Sequence, residues 1–129
     1  MTTELCYLTA SAVLTALLWV PYILNVIAKN SISDAVGYGD LEMSPWAERL
    51  KKAHYNSIEN LAPFAAVVLV ANAIGLSSEA TTMSAAVYFW ARVVHPLAYT
   101  FAIPWVRTLA FFVAWAAILC IAWQIYAAT

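Results

Sequence analysis

The sequence predicts an all-α integral membrane protein, a single domain over residues 1–129 built as a four-helix bundle. Three observations carry this. Hydrophobic residues make up 64% of the chain and charged residues only 10%. Soluble domains carry about 25% charged residues, so the side chains needed to cover a water-facing surface are missing. The chain divides into four mostly apolar helical segments separated by more polar connections, and a helix needs roughly 20 mostly apolar residues to cross a bilayer. The lipid bilayer is therefore the first partner expected. A formal net charge of -1 offers no footprint for nucleic acid, and none is expected as a partner.

The first span is read from Leu5 to Ala28, a stretch without a charge, and Lys29 ends it. Glu4 stands where a signal peptide would be basic, so this segment is expected to be a retained span. Residues 30–44 are more polar, contain Gly37 and Gly39, and read as a loop. The second helix starts at Ser44, a good N-cap, followed by Pro45 at the first helical position. Its first turns carry Glu48, Arg49, Lys51 and Lys52 and should project from the membrane. Leu61 to Ile74 is the immersed part, and Gly75 is the expected stop. The third helix opens at Ser77-Ser78-Glu79, where a serine cap and an acid suit the helix dipole, and runs to about Phe101. Pro104 and Trp105 open the fourth helix, which has no charge after Arg107. Pro21, Pro63 and Pro96 fall inside spans, and each frees the carbonyl four residues before it.

Lys29, Arg49, Lys51, Lys52, Arg92 and Arg107 fall toward the first and third connections. The positive-inside rule places those connections in the cytoplasm and both termini outside. Cys6 and Cys120 lie in apolar runs without metal-ligand spacing. They read as apolar fillers, and no metal site is expected.

Ionisable groups inside a membrane cost roughly 2.5 kcal/mol or more, so they face the bundle interior or a cavity. Lys52, Asn56 and Glu59 are spaced to share one helix face, and so are Arg92, His95 and Tyr99. His54 and Tyr55 point away from the first group, and His54 reads as a headgroup-level residue. Arg92 lies about two turns inside its helix and needs a partner, which makes an Arg92–Glu59 pair the expectation. Arg107 sits in a first turn, where the dipole disfavours a cation. Either a bound anion or a lipid phosphate accounts for it. Together these faces describe a cytoplasm-side pocket rich in arginine, lysine and amide, with one buried acid, suited to a small zwitterion with carboxylates and an amine.

Three segments resemble the MAPEG family, the membrane-associated proteins in eicosanoid and glutathione metabolism. Lys52 to Glu59, continuing to Pro63-Phe64, is similar to the family's helix-2 signature of a basic residue, NxxE and a proline. Arg92-Val93-Val94-His95 with Tyr99 resembles its helix 3. Pro104-Trp105-Val106-Arg107-Thr108 resembles the start of its helix 4. The order and spacing agree over nearly the whole chain. The resemblance implies a homotrimer that binds glutathione as co-substrate between subunits on the cytoplasmic side. Asn56 and Glu59 would hold the glutathione backbone, with Glu59 taking its amino group. Lys52, Arg92, His95 and Tyr99 would bind or brace its carboxylates. Arg107 would be the catalytic group that stabilises the thiolate, and Thr108 would add a hydroxyl hydrogen bond.

The implied activity is a glutathione transferase or peroxidase, serving detoxification, that acts on small lipophilic electrophiles arriving from the bilayer. The sequence looks like the bacterial branch, which implies a bacterial inner membrane with periplasmic termini. It departs from the family's pattern in three places. Lys52 stands where arginine is frequent and lacks the bidentate fork. Tyr55 occupies a position that is arginine in some members, and Lys29 is the nearest cation to the family's helix-1 arginine. These departures motivate an alternative, a non-catalytic protein of the same fold that binds lipid or another anion. A small four-span transporter is the third class, but its membrane-embedded first-helix glutamate has no counterpart beyond Glu4, at the start of the span.

Overall fold

The first apolar run is helical from end to end but breaks at Leu18. In the computed structural model, which describes residues 1–129, it forms α1 (Thr3–Leu17) and α2 (Trp19–Lys29). Pro21 explains the break. It has no N–H for the carbonyl of Leu17, and its ring crowds that carbonyl. The two segments together run 27 residues. A short α3 (Ile32–Ala35) follows, then three long helices, α4 (Pro45–Ala73), α5 (Glu79–Thr100) and α6 (Pro104–Ala128). Thr3–Lys29 and Pro104–Ala128 are long and apolar enough to cross a membrane on composition alone. At 29 and 22 residues, α4 and α5 also exceed a bilayer's thickness, but they carry the polar side chains of the candidate site.

The connection over 30–44 is more ordered than its composition predicts. Ser31 caps α3 by accepting from the Asp34 N–H at 3.0 Å. The side chain of Asn30 bridges to the backbone of Glu42, donating to its carbonyl and accepting from its N–H. Asn25 holds Ser44 in the same two-way manner at 2.9 Å. That bridge changes the expected helix start. Ser44 has N-cap geometry, but its hydroxyl accepts from Asn25 rather than from the helix. The start rests instead on Pro45 at the first position and on the Ser44 carbonyl, which accepts the N–H groups of Ala47 and Glu48.

The two tight reversals use the same device. After α4, the Leu76 N–H reaches the Ala71 carbonyl at 2.8 Å around Gly75, whose φ is 71°. After α5, the Ile103 N–H reaches the Ala98 carbonyl at 2.8 Å around Ala102, whose φ is 58°. Both are Schellman endings, which favour glycine in the left-handed position. An L-residue there costs roughly 1–2 kcal/mol. The strained Ala102 sits directly before the helix that carries Arg107.

Small residues let α5 and α6 lie close together. Ala85 and Ala91 of α5 and Ala114 and Ala117 of α6 are buried, with Ile118 and Ile121 beside them. Phe64 of α4 stacks on Tyr88 of α5 at a centroid distance of 3.7 Å, and both are almost fully buried. The buried positions Leu50, Ala53, Ser57, Phe64, Val68 and Ala71 form one inner stripe of α4 at helical spacing.

Glu4 does more than mark the chain start. It is buried, and its carboxylate accepts from Ser77, Thr81 and Thr82, clasping α1 to the first turn of α5. Ser78 and Thr81 form a reciprocal capping box at that end. Glu4→Ala is expected to cost about 1–3 kcal/mol, because it strips a charged acceptor from buried hydroxyl donors. Thermal unfolding in detergent would register this as a fall of several degrees. An unchanged midpoint would mean the clasp contributes nothing.

Candidate functional site

The site lies at the opposite end of the bundle from Glu4, where the start of α4, the end of α5 and the start of α6 converge. Arg92 is its inner anchor. Its side chain is 2% exposed. One terminal nitrogen donates to Asn56 Oδ1 and to Ser57 Oγ, both at 2.9 Å. Its Nε and its other terminal nitrogen are buried without a partner, as is His95 Nδ1.

The expected Arg92–Glu59 pair does not form. Glu59 is exposed on the outer side of α4, and the arginine meets Asn56 and Ser57 instead. Helical geometry gives the reason. Glu59 is two positions on from Ser57, a rotation of roughly 200°, so a buried Ser57 turns Glu59 outward.

Asn56 Oδ1 also accepts from Asn60 at 3.3 Å, and the Asn56 amide nitrogen makes no bond in the chain. Asn56 lines a cavity of about 230 Å³ together with His95, Tyr99, Arg107, Thr108 and Phe111. The Arg107 guanidinium lies 4.6 Å over the Tyr99 ring. His95 meets the same ring edge-on at 5.7 Å. That ring offsets the unfavourable dipole at the start of α6, since its face attracts a cation.

Of the residues singled out from the sequence, Asn56, His95, Tyr99, Arg107 and Thr108 thus line one cavity, and Arg92 braces Asn56 from behind. Lys52 and Glu59 are not in it. Both are exposed on the same ridge of α4 as Asn56. The cavity presents guanidinium, amide, hydroxyl and imidazole donors and no carboxylate, a chemistry that selects an anion.

Ser57 and Asn60 were missed. Ser57 was recoverable, because it falls on the same 3.6-period as Ala53 and Phe64. His54 is more than a headgroup-level residue. Its Nδ1 lies 2.7 Å from the Tyr22 hydroxyl and ties α4 to α2.

Long apolar helices around a polar, donor-rich cavity define the class of an integral membrane helical bundle. The model of the MAPEG family matches residues 7–127, and the chain belongs to that family. It is therefore a membrane-bound helical bundle. Microsomal glutathione S-transferase 1 of Mus musculus is 33% identical over 79 residues, which cover 60% of this chain and 51% of that protein. The chain is thus aligned with about half the length of the curated relative it matches.

Proposed function

We propose that this chain is a glutathione-using membrane enzyme, a transferase or peroxidase acting on lipophilic electrophiles. The observation that carries this reading is the cavity in which Arg107 and Thr108 face Asn56, His95 and Tyr99 with no carboxylate among them. Glutathione fits that donor set. The orphaned nitrogens of Arg92 and His95 favour anionic or acceptor groups nearby, and the free Asn56 amide can donate to a peptide carbonyl.

In this reading Arg107 holds the thiol in its deprotonated form. A nearby guanidinium lowers a thiol's pKa, and the thiolate is the nucleophile. Thr108 donates a second hydrogen bond to the sulfur. The proton leaves to solvent. The sulfur then forms a bond to the electrophilic carbon as the leaving group departs with its electron pair. Tyr99 fixes the guanidinium, and Arg92 fixes Asn56.

Lys52 and Glu59 take part through a neighbouring copy. A lone carboxylate on the outer face of a membrane helix is costly, and Glu59 is exposed midway along α4. A homotrimer that covers this ridge would bring Glu59 to the amino group of glutathione and Lys52 to a carboxylate. The protein would sit in a bacterial inner membrane, with the first and third connections cytoplasmic and both termini periplasmic. The clustering of Lys29, Arg49, Lys51, Lys52 and Arg107 toward one end supports this. The rival reading is a non-catalytic anion binder. It draws on the position of Lys52 and Glu59 outside the cavity, and turnover by the purified protein with glutathione and an electrophile would eliminate it.

The test is calorimetry of glutathione on the detergent-purified protein, with Glu59→Gln beside it. Wild-type binding that weakens about tenfold in Glu59→Gln, the loss of one charge-assisted contact, is the expected result. Wild-type binding left intact by Glu59→Gln would remove Glu59 from the site. No binding at millimolar glutathione would overturn the reading.

A further inference from the structure

A second cavity shares Tyr99 and Arg107 with the first. It has a volume of about 190 Å³ and is lined by Arg49, Ala98, Tyr99, Ala102, Pro104 and Arg107, with Ile103 completing the wall. Two guanidiniums therefore share one small space, and no carboxylate lines it. Arg49 is steered there by its Nε, which donates to the Thr100 carbonyl at 3.0 Å. Its terminal nitrogens make no hydrogen bond within the chain. Two like charges with free donors on one cavity favour an anion between them, and an oxyanion offers acceptors to both.

The surroundings identify the source of that oxyanion. Phe101 is 71% exposed and Trp105 79% exposed beside the cavity. Exposed aromatics of this kind mark the headgroup level of a bilayer. Immediately next to the cavity along α5, Thr100 and Phe101 line an apolar groove of about 350 Å³. The kink at Pro21 forms its other wall, with Leu14, Trp46, Leu50 and Leu97 between. A cationic site at headgroup depth thus adjoins an apolar slot.

We propose that Arg49 and Arg107 bind the phosphate of an anionic phospholipid, one of whose acyl chains lies in the groove between Pro21 and Phe101. The lipid would be an integral ligand of each chain. Its other contacts, Arg49 and the groove, lie outside the lining of the 230 Å³ cavity, so it is held whether or not glutathione is a substrate.

The test is native mass spectrometry of the protein released from nanodiscs of equimolar phosphatidylglycerol and phosphatidylcholine, without glutathione. The wild type is expected to retain phosphatidylglycerol in about tenfold preference, because both lipids carry the phosphate but the two guanidiniums repel the quaternary ammonium of phosphatidylcholine. Arg49→Gln should bring the two lipids to parity, and Arg49→Lys should keep part of the preference. Leu97→Trp, which fills the groove and leaves both arginines in place, should lower retention of both lipids; it tests the groove even if Arg49→Gln fails to fold. Equal retention of the two lipids by the wild type would overturn the proposal. So would a wild-type preference that survives in Arg49→Gln, or retention of both lipids that Leu97→Trp leaves unchanged. Inorganic phosphate that binds with the same Arg49 dependence in pure phosphatidylcholine, alongside no preference for phosphatidylglycerol, would make this a free-anion site and overturn the lipid assignment.

Discussion

Arg107→Ala is expected to lower glutathione-conjugating turnover by roughly 10²-fold or more, the usual cost of removing one donor aimed at charge that develops in a reaction. The same substitution should leave the fold nearly untouched. Arg107 occupies the first turn of α6, where the dipole opposes a cation. Its compensation is the Tyr99 ring at 4.6 Å, worth about 0.5–2 kcal/mol. These contributions are similar in size and opposite in sign. The thermal midpoint should therefore move little while kcat with a chloronitrobenzene collapses. Arg107→Lys should fall between the two, since it keeps the charge and loses the planar fork. Full turnover in Arg107→Ala would end the proposed mechanism, whatever the state of the fold.

Arg92→Met should behave in the opposite way. Methionine roughly preserves the volume of the buried chain, so the change isolates the loss of the guanidinium. Two hydrogen bonds from a charged donor disappear, to Asn56 and to Ser57. Such bonds are worth about 1.5–3 kcal/mol each. Part of this returns, because the unpartnered Nε and Nη1 no longer have to be buried. The expected net loss is about 2–3 kcal/mol, read as a lower thermal midpoint. Glutathione affinity should fall with it, because Asn56 loses the brace that fixes its amide. Arg92→Met thus lowers stability and binding together, whereas Arg107→Ala lowers turnover alone. A stable Arg92→Met protein with unchanged glutathione affinity would show that Arg92 neither supports the fold nor positions Asn56.

The helices and their ends were legible because their signals are local. The charge-free run after Glu4, the Ser44-Pro45 start, the Gly75 stop and the Pro104 restart each act within a turn of chain, and the helix bounds follow them closely. Period alone also put Arg92, His95 and Tyr99 on one face, and the structure turns that face toward Asn56, Arg107 and Thr108.

Partner choice between helices was not legible, because it depends on relative rotation. Arg92 was matched to the nearest acid at its depth. The inner stripe of α4 instead presents Ser57 and turns Glu59 outward. Glu4 looked incidental because its donors Ser77, Thr81 and Thr82 lie more than 70 residues away. The Tyr22–His54 contact and the Asn25–Ser44 bridge were hidden for the same reason. The sequence by itself determined that the chain is a membrane-bound helical bundle and which side chains are too polar to face lipid. Only the tertiary structure decided which of those side chains meet, because a few tens of degrees of helix rotation separate a buried hydrogen bond from an exposed charge.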